Sequence, residues 1–172
     1  MPRLEKINYY LNIAQTVCER STCLRRCFGA IIVKNDEIIS TGYNGAPRGR
    51  ENCSDLNKCI REELGIPSGQ RYELCRSVHA EMNCIISASR DEMMGATMYL
   101  ACIDPKTGEI FSGVEPCSMC KRLIINSGIS YVIIRESKDK YRTIVVERWI
   151  ENDESIFGGD SYGGSVTNLC RI

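Results

Sequence analysis

The chain contains a single histidine, and the residues around it constrain the fold more than any other feature of the sequence. His79 is followed two positions later by Glu81, and the run Glu115-Pro-Cys-Ser-Met-Cys120 comes further along the chain. Catalytic zinc typically takes three protein ligands and keeps a fourth position for water. His79, Cys117 and Cys120 can supply that ligand set, so the fold must bring two distant segments to one point.

Glu81 offers a carboxylate that the metal does not need as a ligand, and we assign it proton transfer. Zinc lowers the pKa of a water molecule toward about 7. Glu81 then accepts a proton, protonates a ring nitrogen of the substrate and carries a proton to the departing ammonia. Cys117 and Cys120 lie at a predicted helix start, where free backbone N–H groups stabilise thiolates. H-x-E followed by P-C-x-x-C is the known signature of zinc-dependent nucleobase deaminases.

Two structural interpretations compete with this one. A lone C-x-x-C pair is often structural, and a single histidine is often a hydrogen-bonded core residue. The whole pattern also fits a zinc module without catalytic activity, used for regulation or assembly. Glu81 favours the catalytic interpretation, because a structural zinc site has no need of a non-ligand carboxylate at that position.

The composition indicates one soluble globular domain acting on a small substrate. The chain has 172 residues, of which 43% are hydrophobic and 26% charged, as in ordinary globular proteins. No apolar run approaches the roughly 18 residues that span a membrane, and the start of the chain lacks signal-peptide features. We therefore expect a cytoplasmic protein with no membrane partner.

The charges and the cysteines narrow the choice of partner and cofactor. Basic and acidic residues number 22 each, a balance that argues against a nucleic-acid partner. Eleven cysteines in a reducing cytosol are better explained by metal ligation than by disulfides.

Hydrophobic periodicity predicts alternating helices and strands, and hence a layered α/β domain with a mixed sheet. Predicted helices cover residues 4–18, 55–64, 78–89 and 117–127, and Pro116 is placed in the first turn of the last one. Predicted strands cover residues 28–34, 37–42, 97–102, 131–135 and 141–146. The first two strands are expected to form a hairpin around Asn35-Asp36.

We expect the whole chain, residues 1–172, to form a single domain. Within it, the polar stretch 48–76 is predicted to be a surface insertion. The Gly-rich tail 151–172 is expected to be ordered only through contacts with another subunit, or not at all.

Five motifs make the chain resemble the deoxycytidylate (dCMP) deaminase family of the cytidine deaminase-like superfamily. The motifs are Cys23–Arg26, Gly29–Val33, Ser40–Gly45, His79–Asn83 and Pro116–Cys120. They follow the family's order between about residues 22 and 135. The resemblance implies a three-layer α/β/α fold with a mixed five-stranded sheet. It also implies zinc-dependent hydrolysis of dCMP to dUMP and ammonia, which supplies thymidylate synthesis.

The resemblance further implies roles for individual residues and for effectors. Asn44 should contact the nucleotide, and Arg26 and Asn83 match positions of the nucleotide pocket. Many family members are hexamers activated by dCTP and inhibited by dTTP, so we expect a homo-oligomer, with a hexamer favoured. Arg90, placed at the end of the predicted 78–89 helix, matches a position tied to that regulation in some members. Alternatively, Arg90 is a cation near a helix C-terminus.

A second, structural zinc is present in some family members. Cys23 and Cys53 match two of its ligand positions, and Cys59 and Cys75 of the insertion would complete a Cys₄ site. Three arginines lie beside these ligands and could compensate the charge of about −2: Arg25, Arg61 and Arg76. Alternatively, the four cysteines are reduced residues in a loop-rich region.

Most of the other five cysteines are predicted to be small core residues: Cys18, Cys27, Cys84, Cys102 and Cys170, the last lying unexplained in the tail.

Other base deaminases on the same fold remain as alternatives. E-P-C-x-M-C also resembles tRNA adenosine deaminases, and a cytosine or cytidine deaminase would use the same centre. The residues that usually precede H-A-E in the tRNA enzymes are absent, and the charge balance is poor for tRNA.

Overall fold

A five-stranded sheet forms the centre of the computed structural model, which describes residues 3–153. Its strands are β1 (Cys27–Lys34), β2 (Glu37–Tyr43), β3 (Thr97–Ile103), β4 (Tyr131–Arg135) and β5 (Tyr141–Val145). The strand order is β2-β1-β3-β4-β5. Only β3 and β4 run parallel, and the other neighbouring pairs are antiparallel. The predicted mixed five-stranded sheet is therefore confirmed.

Seven α-helices surround this sheet in the described part of the chain: α1 (Lys6–Cys18), α2 (Cys53–Leu56), α3 (Ile60–Glu63), α4 (Ala80–Ile85), α5 (Arg90–Met93), α6 (Ser118–Ser127) and α7 (Glu147–Glu151). The parallel pairing of β3 and β4 requires a crossover connection, and α6 provides it. None of these helices has the length and apolar character needed to cross a membrane.

The hydrophobic cores lie on both faces of the sheet. On one face, α1 packs Leu11 and Cys18 against Ile31 of β1. On the other face, α4 and α6 pack against β1 and β3, with Cys84 and Ile124 among the buried residues. This arrangement confirms the three-layer α/β/α fold. Four cysteines predicted to be core residues are buried: Cys18, Cys27, Cys84 and Cys102.

Two glycines let helices approach the hairpin of β1 and β2 from opposite faces. A Cβ atom at Gly29 would lie 2.2 Å from the carbonyl oxygen of Ala14 in α1. A Cβ atom at Gly42 would lie 2.3 Å from the carbonyl oxygen of Ala80 in α4. The backbones of both helices therefore rest directly on the sheet. At the hairpin turn, Asn35 and Asp36 have φ angles of 51° and 69°, as a type I′ turn requires.

The predicted helix 78–89 is shorter in the structure, where α4 ends at Ile85 and the separate helix α5 begins at Arg90. Ser89 accepts a hydrogen bond from the backbone N–H of Glu92, and the Glu92 carboxylate caps Ser89 in return. This capping box starts α5 as a separate helix. Arg90 is consequently the first residue of α5, and the prediction that it ends the longer helix was wrong.

Smaller departures have equally local causes. The predicted helix 55–64 is split into α2 and α3, because Asn57 adopts a left-handed conformation with φ 46°. Pro116 precedes the N-cap residue Cys117 and so lies before the first turn of α6. Helix α7 was not predicted from the sequence. Residues 154–172, including Cys170 and most of the predicted tail, lie outside the described residues.

Candidate metal centre and active site

Two helix N-termini meet at the predicted metal centre. His79 is the N-cap residue of α4, and Cys117 is the N-cap residue of α6. Glu81 and Cys120 occupy the first turns of the same helices. The partial positive charge of helix N-termini favours thiolates and carboxylates at these positions.

The three predicted ligands converge with separations that suit one zinc ion. Nδ1 of His79 lies 3.4 Å from Sγ of Cys117 and 3.4 Å from Sγ of Cys120. All three ligand atoms lie within 4.8 Å of one another, and no other group of three such residues converges in this way within residues 3–153. Zinc–sulfur bonds of about 2.3 Å and zinc–nitrogen bonds of about 2.0–2.1 Å fit between atoms this far apart. The donor set therefore fits a tetrahedral zinc with one further position.

The electrostatics of the centre favour a bound cation. Hydrogen bonds from Cys120 and His79 lower the pKa of the Cys117 thiol, so its thiolate is stabilised although the group is partly buried. Burial opposes a charge on His79, but hydrogen bonds to Cys117 and Cys75 outweigh it and raise the pKa of the imidazole to about 10. The sulfur atoms thus attract positive charge to this point.

Glu81 lies beside the centre without belonging to the ligand group. Its side chain is 4% exposed, and burial raises the pKa of its carboxyl group. The carboxyl group also interacts with the thiol of Cys120, which places it next to the metal ligands. A buried, non-ligand carboxyl group at this point has the character of a general acid and base.

A cavity of about 890 Å³ opens over the centre and is lined by His79, Glu81 and Cys117. Six cationic side chains also line it, against two carboxylates (Glu81 and Glu115). The six are Arg25, Arg26, Arg50, Lys58, Arg61 and Arg76. This excess of positive charge suits an anionic ligand of small-molecule size.

Asn44 lines the cavity and organises the backbone at its edge. Its Oδ1 accepts hydrogen bonds from the backbone N–H of Phe28 (2.8 Å) and the hydroxyl of Ser21 (2.6 Å). Its Nδ2 donates to the carbonyl oxygen of Arg26 (2.8 Å). Much of its hydrogen-bonding capacity therefore holds the segment that carries Arg26 against β2.

The two weaker nucleotide-pocket candidates are placed differently. Arg26 lines the cavity, and its guanidinium lies 3.5 Å from the centre of the Phe111 ring. Asn83 is not among the described residues that line the cavity, and its Nδ2 donates to the carbonyl oxygen of Tyr43 (2.8 Å). The structure therefore brings Arg26 to the cavity and leaves Asn83 outside it.

Arg90 belongs to α5 but contacts the C-terminal end of α6. Its Nε donates to the carbonyl oxygen of Asn126 (3.1 Å), in the last turn of α6. A cation at this point stabilises the negative end of the α6 dipole. The role of Arg90 in regulation remains a prediction.

The four cysteines of the predicted second metal site line the same cavity: Cys23, Cys53, Cys59 and Cys75. Burial and then the charge of Cys23 raise the pKa of Cys53, so these two thiols are neighbours. Within residues 3–153, no three of the four sulfur atoms lie within 4.8 Å of one another. The Cys₄ zinc site remains a prediction.

Three cavity residues had no role in ligand or substrate binding in the sequence analysis. Tyr72 and Arg61 come from the insertion, and Phe111 comes from the loop after β3. One signal was available for Tyr72, which is the only aromatic residue between positions 48 and 76. The loop that carries Phe111 has no periodic pattern that would place the ring over Arg26.

The fold and the centre define a zinc-binding protein of the deaminase class, and comparisons with known proteins agree. The sequence model of the cytidine and deoxycytidylate deaminase zinc-binding region matches residues 4–136. The chain belongs to this family.

Individual relatives support the same assignment. The deoxycytidylate deaminase of Mycobacterium phage D29 is 36% identical over 138 residues, which cover 77% of this chain and 96% of that protein. The deoxycytidylate deaminase of Schizosaccharomyces pombe is 32% identical over 130 residues, covering 76% of this chain but only 37% of the yeast protein. The solved structure of dCMP deaminase from cyanophage S-TIM5 has a TM-score of 0.54 and 23% identity, covering 80% of this chain and 88% of that one. At that identity it supports the fold alone.

Proposed function

We propose that the protein hydrolyses dCMP to dUMP and ammonia with zinc as its cofactor. One observation carries this proposal: His79, Cys117 and Cys120 converge beside the buried, non-ligand Glu81. Relatives named deoxycytidylate deaminase, one of them matched over nearly its whole length, support the choice of substrate.

Glu81 carries the proton transfers of the proposed reaction. His79, Cys117 and Cys120 would hold the zinc ion, which when bound would lower the pKa of a water molecule toward about 7 and so make a nucleophile available at neutral pH. Glu81 accepts the proton that this water loses and delivers it to the ring nitrogen next to the amine-bearing carbon. It then takes the second proton from the hydroxyl group that has added to the ring carbon and passes it to the departing amine, which leaves as ammonia. Water thus supplies the ring carbonyl oxygen that replaces the amine group. The overall reaction is dCMP plus water giving dUMP plus ammonia.

The cavity supports a nucleotide over a free base. Six cationic side chains line it, and a 5′-phosphate is the part of dCMP that they would attract. We place Arg26 and Asn44 on the nucleotide. Asn83 supports the site indirectly, because it holds the backbone of β2 through Tyr43.

We propose further that a structural zinc binds Cys23, Cys53, Cys59 and Cys75. All four line the same cavity, and the neighbouring arginines would offset the charge of a Cys₄ site. The insertion 48–76, within a single domain of residues 1–172, would then be zinc-stabilised.

The remaining proposals rest on the sequence alone, the location on its composition and the others on the resemblance. The protein acts in the cytoplasm, feeds thymidylate synthesis and responds to dCTP and dTTP through Arg90. It forms a homo-oligomer, for which we favour a hexamer.

A panel of substrates tests the main proposal. Purified, zinc-loaded protein is assayed for ammonia release from dCMP, deoxycytidine, cytosine and a tRNA anticodon stem, each with and without dCTP. We expect turnover of dCMP with a much higher kcat/KM than for deoxycytidine, because only the nucleotide carries the phosphate. Turnover of the tRNA alone would replace the proposal with a tRNA adenosine deaminase. Absence of turnover on every substrate would favour a non-catalytic zinc module.

A further inference from the structure

An aromatic ring of the insertion contacts the imidazole of the metal ligand. The rings of Tyr72 and His79 have centroids 4.8 Å apart and an interplanar angle of 82°. This edge-to-face arrangement is a favoured geometry for aromatic pairs. Tyr72 belongs to the 3₁₀ turn Tyr72–Leu74, which follows Arg71 in a left-handed conformation with φ 51°.

The Tyr72 ring has a second neighbour, the buried cation Arg61. The guanidinium carbon of Arg61 lies 4.4 Å from the centre of the Tyr72 ring, within the range of cation–π attraction. Arg61 is 6% exposed, and its NH2 group donates to the carbonyl oxygens of Pro67 (2.9 Å) and Gln70 (2.6 Å). The same side chain therefore closes the loop before Tyr72 and contacts the ring.

Burying this guanidinium is costly. Its Nε is buried and has no hydrogen-bond partner among the described residues. A buried donor left unsatisfied costs about 1–3 kcal/mol, so a role in folding the insertion alone explains the arginine poorly. Arg61 contacts Tyr72, which in turn contacts His79, so a role at the metal centre would explain why the guanidinium is buried there.

We propose that Tyr72 and Arg61 are positioning residues that fix the orientation of the His79 imidazole for metal binding. The sulfur atoms of Cys117 and Cys120 define where Nδ1 must point. Cys75 also interacts with the imidazole, and the edge-to-face contact with Tyr72 restrains the tilt of the ring. Partners outside the ligand set normally hold metal-binding histidines in orientation. In this chain the stack Arg61–Tyr72–His79 provides that support. The inference rests on the proposed function only in assigning His79 to the catalytic metal.

The part of this support that Tyr72 provides is separable from the proposed second zinc, whereas Arg61 is also one of the arginines expected to offset the charge of the Cys₄ site. Neither Tyr72 nor Arg61 offers a metal ligand in the Cys₄ site, so both can be changed without removing a sulfur atom. The insertion would thus hold His79 through ring contacts as well as through the four residues that join Cys75 to His79.

The test measures metal release and catalysis in the zinc-loaded, full-length protein. Zinc release is followed with a chromogenic chelator, and the kinetic phase that disappears in Cys120→Ser is assigned to the catalytic centre. We expect Tyr72→Leu to accelerate that phase roughly 10–100-fold, as loss of outer partners of metal ligands typically does. It should lower kcat for dCMP with little change in KM. Tyr72→Phe keeps the ring and should behave as wild type. Arg61→Met should change the zinc release rate and kcat in the same direction as Tyr72→Leu.

Tyr131→Leu is the matched control, because it removes a tyrosine that is 45% exposed on β4. Its release kinetics should equal those of wild type. Unchanged zinc release in Tyr72→Leu would overturn the inference, whatever the value of KM. If KM for dCMP were higher at the same time, Tyr72 would be a substrate contact. If Tyr72→Leu does not fold, Arg61→Met decides: faster release supports the inference, and wild-type release overturns it. Faster release in a protein that turns over no dCMP would refute the proposed function and leave the inference intact.

Discussion

At the scale of single residues, the burial of Glu81 raises its pKa, which is the direction that suits the proton transfer proposed for it. An exposed glutamate has a pKa of about 4.3 and binds protons poorly at pH 7. Burial raises the pKa of Glu81, although its own backbone N–H and the neighbouring His79 oppose that shift. A pKa closer to the working pH makes a general acid and base more efficient.

We predict that Glu81→Gln retains the fold and zinc but loses deamination. Glutamine fills nearly the same volume at this buried position, but it cannot accept and return the proton. We expect kcat for dCMP to fall by at least 10²–10⁴-fold, roughly the contribution of a positioned acid–base group. Zinc content and thermal unfolding of the variant serve as controls. Activity near that of wild type would refute the assigned role.

At the scale of secondary-structure elements, Gly42 determines how closely α4 can approach the sheet. We predict that Gly42→Ala destabilises the protein by about 1–3 kcal/mol, as overpacking typically does, and also lowers zinc retention and kcat. The added methyl group would push α4, and with it His79 and Glu81, away from β2.

Gly29→Ala is the matched control, since its Cβ would collide with α1 to a similar extent on the opposite face. It should lower the unfolding free energy comparably while leaving zinc retention and kcat at saturating dCMP unchanged. Urea unfolding, zinc analysis and steady-state kinetics of both variants make the comparison. Equal losses of activity in both would show that α4 is not positioned by Gly42 specifically.

The contact between α1 and the hairpin turn should make stability depend on pH. Asp36 accepts a hydrogen bond from the hydroxyl of Tyr10 (2.5 Å) and pairs with Lys6 (2.9 Å), and these contacts lower its pKa. Its stabilising contribution is therefore present above the unfolded-state pKa of about 3.9. It is lost as the pH falls through the lower pKa of the folded state.

We predict that Asp36→Asn is less stable than wild type at pH 7 and that this difference shrinks below about pH 4, near the unfolded-state pKa. Asparagine tolerates the positive φ of the turn, so the backbone is preserved. Urea unfolding at pH 7 and pH 3 measures both differences. Tyr10→Phe, which removes the donor of the same hydrogen bond, should show the same trend. A difference that does not vary with pH would contradict this account.

The sequence predicts the elements of the metal centre better than its surroundings. The spacing of His79, Glu81 and the cysteine pair encodes a helix start and a ligand set, so both could be predicted. The early end of α4 at Ile85 was missed because the apolar residues Ile86 and Ala88 continue the pattern beyond it, and the start of α5 was missed because only the capping box at Ser89 marks it. Tyr72 and Phe111 were missed because their contacts depend on irregular loops, whose conformation no periodic pattern reports.

At the scale of the whole molecule, the number of zinc ions per chain tests whether the protein holds a structural zinc in addition to the catalytic one. We predict two zinc ions per chain in wild type and one in Cys59→Ser, measured by elemental analysis of protein purified without chelators. Cysteine ligands hold zinc in the folded state, so loss of the structural ion should also lower the thermal unfolding temperature.

Cys102→Ala provides the control for that experiment, because Cys102 is a fully buried core residue of β3 outside both proposed sites. It should keep the wild-type zinc content. One zinc ion per chain in wild type, unchanged by Cys59→Ser, would refute the second site.

The cavity walls come largely from segments outside the sheet, and this separation makes the architecture modular. Residues 50–77 and the loop carrying Phe111 line much of the cavity, whereas His79, Glu81 and the cysteine pair sit on helices packed against the sheet. Hydrogen bonds connect the loop to that frame, including one from the Phe111 backbone N–H to the carbonyl oxygen of Cys102 and one from the Gly113 backbone N–H to the carboxylate of Glu136. Exchanging the loop that carries Phe111 for that of a relative would therefore alter the pocket while keeping the reaction centre, whereas residues 50–77 would have to retain Arg61 and Tyr72, because Tyr72 contacts His79.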